Sequence, residues 1–149
     1  MSTQTGMSLF DQGRYDEAKA EFQQALFLTS DDAEAYNGLG QVALIQRRYQ
    51  EAERSFRKAS EVNPEESLYH YNLGMALDHL KRSDEAIEEY QKAIEINPDY
   101  AAAYNNWGNV LLDQRRYNEA IEKYKKAVEI DELYPYAYHN SKRSRGRSA

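Results

Sequence analysis

Glycine returns at a fixed 34-residue step along the chain, at Gly6, Gly40, Gly74 and Gly108. The same step links Ala18, Ala52, Ala86 and Ala120, and again Ala25, Ala59, Ala93 and Ala127. Three columns of small residues in register describe one structural unit copied about four times. A unit of that size cannot bury its apolar face alone, so the copies must stack. Function is then expected on a surface that stacking creates, not in a cleft inside one globule.

Inside each copy the apolar pattern has a helical period. In residues 101–134, small and apolar side chains fall at Ala103, Tyr104, Trp107, Gly108, Leu111 and Leu112. After Arg115-Arg116 a second set follows at Tyr117, Ala120, Ile121, Tyr124, Ala127, Val128 and Ile130. Spacings of three and four residues put each set on one face of a helix. Two antiparallel helices per unit are expected, with Gly and Ala letting backbones approach while aromatic columns fill the remaining volume. Asn63-Pro64 and Asn97-Pro98 stand between units, where a helix must stop. Within units the chain reverses near Gln12-Gly13-Arg14, Gln46-Arg47-Arg48, Lys81-Arg82-Ser83 and Gln114-Arg115-Arg116. Only the first has the glycine that a left-handed turn residue prefers. Arg47, Lys81 and Arg115 therefore carry modest strain, or their turns need no positive φ.

Composition removes several function classes. There is no cysteine, hence no disulfide, thiolate metal site or thiol nucleophile. No apolar run approaches the roughly 20 residues that span a bilayer. Met1-Ser2-Thr3-Gln4-Thr5-Gly6 has neither the basic start nor the apolar core of a signal peptide, so a soluble, cytoplasmic protein is expected. The formal charge of −6 is uneven. Lys142, Arg143, Arg145 and Arg147 put +4 on the last fourteen residues, leaving 15 cationic against 25 acidic side chains, −10, on the rest. An acidic body repels phosphate backbones, and the repeat array is not expected to bind nucleic acid.

The landmarks Tyr36, Leu39-Gly40, Ala52, Phe56, Ala59 and Pro64, in that order, resemble the tetratricopeptide repeat, and the likeness extends from about residue 3 to 140. It implies an all-α fold, a right-handed superhelix (a solenoid) of about four repeats within a single domain over residues 1–140. The repeats run over about 1–32, 33–66, 67–100 and 101–134. First helices would line a concave groove and second helices would lie outside. The first unit opens at Thr3 to Gly6 without the aromatic that Tyr36 and Tyr104 supply, so its first helix is expected to be short or to have been cut. Tyr134, Ala137, Tyr138 and Asn140 repeat Tyr100, Ala103, Tyr104 and Asn106, then Ser141 and Lys142 turn polar. A capping helix beginning at Pro135 is expected there, followed by a basic tail over residues 141–149.

The resemblance also implies a non-enzymatic scaffold or adaptor with a protein or peptide partner and no cofactor. Its inward columns would hold Asn37, Tyr71, Asn105 and His139, then Gly38, Asn72, Asn106 and Asn140, then Gln41, Met75, Asn109 and Arg143. An amide carries a donor and an acceptor, so it can pair with an extended peptide backbone whatever the side chains. Asn72, Asn106 and Asn140 resemble the asparagine ladders by which solenoids grip extended chains, and Tyr71, Met75 and Tyr136 would add selectivity. Alternatively, these amides satisfy hydrogen bonds within or between helices. Some members of the family hold a chaperone tail's carboxylate with Lys, Asn, Asn, Lys and Arg. The corresponding residues here are Asn37, Gln41, Asn72, Ala102 and Asn106, of which only Asn72 matches. A buried carboxylate needs charge-assisted partners, so that ligand is not expected. A different class of function is a spacer or self-association module, a homo-oligomer built through the unfinished ends near Thr3 and Tyr134.

The remaining features have plainer readings. Most of the tyrosines fall in repeat columns and read as packing, while Tyr69, Tyr71 and Tyr136 lie outside them and are the better ligand candidates. His70 replaces Tyr36 and Tyr104 in their column, and His79 and His139 have no second ligand at helical spacing, so no metal site is expected. Glu17, Glu51, Glu85 and Glu119 form an acidic column, read as a polar face beside Lys and Arg partners such as Glu88–Lys92.

Overall fold

The computed structural model describes residues 2–132; the expected capping helix and basic tail lie outside them. The described chain is all helix and turn: α1 (Ser2–Asp11), α2 (Tyr15–Leu28), α3 (Ala33–Ile45), α4 (Tyr49–Val62), α5 (Ser67–His79), α6 (Ser83–Ile96), α7 (Ala101–Asp113) and α8 (Tyr117–Ile130). The odd-numbered helices are the first of each repeat. The described part of α1 has 10 residues, against 13 in α3, α5 and α7.

The glycine column explains how the two helices of a repeat lock. A Cβ placed on Gly6, Gly40, Gly74 or Gly108 would stand 2.6, 2.5, 2.6 or 2.8 Å from a ring carbon of Phe22, Phe56, Tyr90 or Tyr124. Carbon atoms in contact settle about 3.5–4 Å apart, so a methyl group there would displace the ring. All four rings are buried, as are the alanines of the other two columns. Each repeat thus seats one large ring from its second helix on the bare backbone of its first.

The reversals between the two helices of a repeat are of one kind. Arg14, Arg48, Arg82 and Arg116 each donate their backbone N–H to the carbonyl five residues earlier, at 2.8–2.9 Å. The residue just before each has positive φ: Gly13 at 76°, Arg47 at 61°, Lys81 at 63° and Arg115 at 61°. This is the left-handed helix ending usually given to glycine, accepted here by three long polar side chains. The same arginines settle the acidic column. Arg82 and Arg116 each reach the glutamate three residues on, Glu85 and Glu119, at 2.6 Å, and Arg14 and Arg48 pair with Glu17 and Glu51 in the same register. Those glutamates therefore pair backwards across the helix start, not forwards at i+4.

Between repeats, the first helices approach one another, α1 with α3 and α5 with α7, while among the described residues no two second helices pack comparably. The stack therefore curves toward the first helices, whose outer faces form its inner surface. One buried tie crosses the repeat junction. His70 on α5 places Nδ1 2.8 Å from the Glu89 carboxylate of α6 and Nε2 2.8 Å from the Pro64 carbonyl. Lys92 approaches the second Glu89 oxygen at 3.0 Å.

With acceptors at both ring nitrogens, the imidazolium is the form this site prefers. The Glu89 carboxylate and the Pro64 carbonyl raise the His70 pKa against the opposing effect of burial. A group whose folded pKa is raised contributes stability below its unfolded value and loses it as pH rises through the folded value. Thermal unfolding is therefore expected to come at lower temperature as pH rises from about 6 to 9. A His70→Gln variant should flatten that slope; calorimetry showing the same slope in both proteins would remove His70 as its source.

Candidate functional site

The inner face is built from α1, α3, α5 and α7, and the predicted site residues on it divide into two groups. One group spends its polar atoms on neighbouring helices. Asn72 is buried on α5 and donates Nδ2–H to Asn37 Oδ1 on α3, at 2.8 Å. Asn106 on α7 repeats the move, donating to the Tyr71 hydroxyl of α5 at 2.9 Å. Both bonds join residues 35 apart, one position off the 34-residue column. Asn109 accepts from the Tyr124 hydroxyl within its own repeat. Here the inter-helix reading of these amides has direct geometric support.

Tyr71 is also an aromatic contact. Its ring stacks on Tyr100 with centroids 5.0 Å apart and tilts against buried Tyr90 at 6.0 Å. Met75, half-buried, packs against the same central cluster. These two side chains support the junction from its inner edge. Asn105 is 1% exposed, and neither amide atom meets a partner among the described residues. It occupies the column of Asn37 and Tyr71, and the residue 35 positions further on is Asn140. Tyr136, His139 and Asn140 lie outside the described residues.

The second group opens to solvent. Asn37 and Gln41 line a recess of about 180 Å³ together with Gly38, Met7, Glu34, Glu66, Leu68 and Tyr69. It lies between α1, α3 and the start of α5. Gly38 lines it with bare backbone, and a Cβ there would collide with the Phe22 ring. Met7 and Leu68 are exposed apolar side chains on its walls. Asn37 has its oxygen occupied by Asn72, while among the described residues its N–H group has no acceptor. The charge around the recess is negative. Asp32 is held as the cap of α3, accepting from Ala35 N–H and from the Thr3 hydroxyl. Glu66 caps α5 through Leu68 N–H. Burial raises the Tyr69 hydroxyl pKa, and the carboxylates of Glu34, Glu66 and Asp32 push it in the same direction.

Sequence reasoning found Asn37, Gln41 and Tyr69 but not Met7, Glu34, Glu66 or Leu68. Three of them do lie in 34-residue columns, Met7 one step before Gln41, Met75 and Asn109, and Glu34 with Leu68, but the residue types in those columns differ, so no repeated chemistry marked them. Further along the same face, burial followed by the charge of Asp113 raises the Asp78 pKa. The described residues contain no group of three metal-ligating side chains and no helix long and apolar enough to cross a membrane.

Asn72→Ala removes the donor that satisfies a buried acceptor. It is expected to cost about 1–3 kcal/mol, read as a lowered urea midpoint at unchanged slope. In the Asn37→Leu background the same substitution should cost less; equal costs in both backgrounds would show that the two amides are not coupled.

The tetratricopeptide repeat pattern matches residues 3–59 and 44–101, and again 101–132. Curated proteins give no sequence match. Among solved structures, MamA superposes with a TM-score of 0.83 at 25% identity, covering 96% of this chain and 84% of that one. YrrB, described as a tetratricopeptide protein with an unusual peptide-binding site, gives 0.78 at 26% identity over 99% and 76% of the two chains. Pseudomonas aeruginosa pilF gives 0.87 at 21% identity over 99% and 67%, a likeness of fold alone. With the pattern matched from residue 3 to residue 132 and an eight-helix repeat solenoid beneath it, the chain belongs to the tetratricopeptide repeat family.

Proposed function

We propose that this protein is a non-enzymatic scaffold or adaptor that holds a peptide segment of a protein partner along its inner face. The observation that carries this reading is the recess at Asn37, Gly38 and Gln41, an open site with apolar walls and an unused amide donor. Such a mixture suits a segment that offers both backbone carbonyls and side chains. The likeness to YrrB, whose description names a peptide-binding site, supports a peptide ligand. Gln41 and Asn37 would meet the peptide backbone, with Tyr71, Met75, Asn105, Asn106 and Asn109 forming the continuation of the surface. Asn72 would act by holding Asn37 in place, and Tyr136, His139 and Asn140 would extend the surface beyond α7. The proposal includes a cytoplasmic location and no nucleic-acid contact by the repeats, whose acidic charge opposes one.

The test is affinity capture from a cell extract with three proteins: the wild type, Met7→Ala/Gln41→Ala/Leu68→Ala, and a second-helix control, Glu88→Ala/Glu122→Ala. A partner lost from the first variant and kept by the control is the expected result. A partner kept equally by all three would place binding elsewhere. Thermal unfolding of the first variant should stay close to wild type, since none of its three side chains is buried.

One observation favours self-association as a second reading. Phe27 and Leu28, at the end of α2, are 88% and 70% exposed. Phe27 stands where later repeats have Glu61, Glu95 and Glu129. Exposed aromatics in place of a charged column mark a surface suited to covering. If copies pair there, light scattering will show mass rising with concentration in the wild type and constant mass in Phe27→Glu; constant mass in both removes this reading.

A further inference from the structure

Charge is sorted between the two helices of each repeat. The first helices α1, α3, α5 and α7 contain no lysine or arginine, and they carry Asp11, Glu34, Asp78 and Asp113. Their caps add Asp32 and Glu66. Every lysine and arginine among the described residues lies on a second helix or in the turn that leads into one. Turn residues Arg47, Lys81 and Arg115 sit at the ends of the first helices remote from the recess, which lies near the starts of α3 and α5. The helix starts carry only partial positive charge, against full charges on Asp32, Glu34 and Glu66.

The carboxylates are not equally available. Asp32 is committed to Ala35 N–H and the Thr3 hydroxyl. Glu66 keeps a carboxylate oxygen beyond the one that caps Leu68, and Glu34 is exposed. Below them, Met7, Leu68 and Tyr69 offer apolar surface, and Asn37 offers its N–H group. This is the complement of a long cationic side chain. Its methylene stem packs on apolar walls, its head stays at the wet carboxylate rim, and its peptide carbonyl meets an amide donor.

We propose that the bound segment is cationic: an extended peptide whose lysine or arginine side chain enters the recess with its head between Glu34 and Glu66. The proposal rests on the inner face being the peptide site. Neutral and acidic segments gain no partner at the rim, and acidic ones meet Glu34 and Glu66 with no lysine or arginine on the first helices beside them. The partner class is thereby narrowed from any extended peptide to one with clustered basic residues.

Random dodecapeptides displayed on phage and selected on the full chain test this directly. Enrichment of Lys and Arg is the expected result; enrichment of neutral or acidic sequences, or none at all, would overturn the proposal. Two enriched sequences, synthesised with a fluorophore, are then titrated by anisotropy against wild type and Glu34→Gln/Glu66→Gln. The second of these substitutions retains a side-chain carbonyl for the Leu68 N–H, so the cap survives and unfolding temperature is the check. Affinity should fall on the order of tenfold in the double variant and should weaken with added salt. Equal affinity for both proteins would overturn the proposal. Neutral peptides that lose binding to Met7→Ala/Gln41→Ala/Leu68→Ala would leave the inner-face site standing while removing its cationic preference. Peptides bound equally well by that variant would remove the site itself.

Discussion

An aromatic ring resting on bare glycine backbone is the contact on which the remaining architecture depends. Phe22, Phe56, Tyr90 and Tyr124 each occupy space that a single methyl group would deny them. The separation between the two helices of a repeat is set by that contact, and the buried alanine columns keep it uniform along the chain. A uniform step places successive first helices side by side on one face, close enough for side chains 35 residues apart to bond. The inner face is thus a consequence of packing two layers beneath it. Deforming any one ring seat would tilt a helix and change the geometry of polar groups that never touch the ring.

Polar residues on that face then have two tasks. Asn37–Asn72 and Tyr71–Asn106 tie first helix to first helix, and because the bonds are partly or fully buried, breaking one partner strands the other. Such ties fix the curvature of the stack more tightly than apolar contacts, which tolerate sliding. What remains for a ligand is the less buried set around Gln41, together with the spare donor of Asn37. Asn37 belongs to both groups: its oxygen is used by Asn72, and the residue also lines the recess. Asn37 thus connects the recess to the tie between the second and third repeats.

Much of the fold could be read directly from spacing. The 34-residue columns showed the two-helix repeat and the core, because burial between neighbours demands the same small residues in every copy. The turns were half legible: positive φ at Arg47, Lys81 and Arg115 is imposed by the stacking around them, and no local residue preference announces it. The acidic column was visible, but its partners were misplaced, since an arginine at the helix start lies closer to the third residue than the i+4 rule suggests. The site was less legible still. Columns bring out residue types that every repeat shares, whereas Met7 with Gln41, and Glu34 with Leu68, share the 34-residue step but not a chemistry, and they meet Glu66 only where three helices converge. The amide bonds were hidden for a related reason: they run diagonally, from one column into the next.

The sorting of charge carries a further consequence for how such a stack can evolve a ligand preference. Second helices need cations, because their glutamates are paired at the helix starts and across neighbours, as in Lys19–Glu51 and Arg82–Glu53. First helices face either the core or the groove and form few ion pairs of their own, so nothing in the fold fixes the sign of their exposed charge. Folding constrains the outer layer and leaves the inner layer open to selection by what it binds. First helices that, among the described residues, carry acids but no lysine or arginine are therefore informative in a way that the net charge of −6 is not. The overall charge averages a structurally required layer with a free one, and only the second would report on a partner held along the inner face.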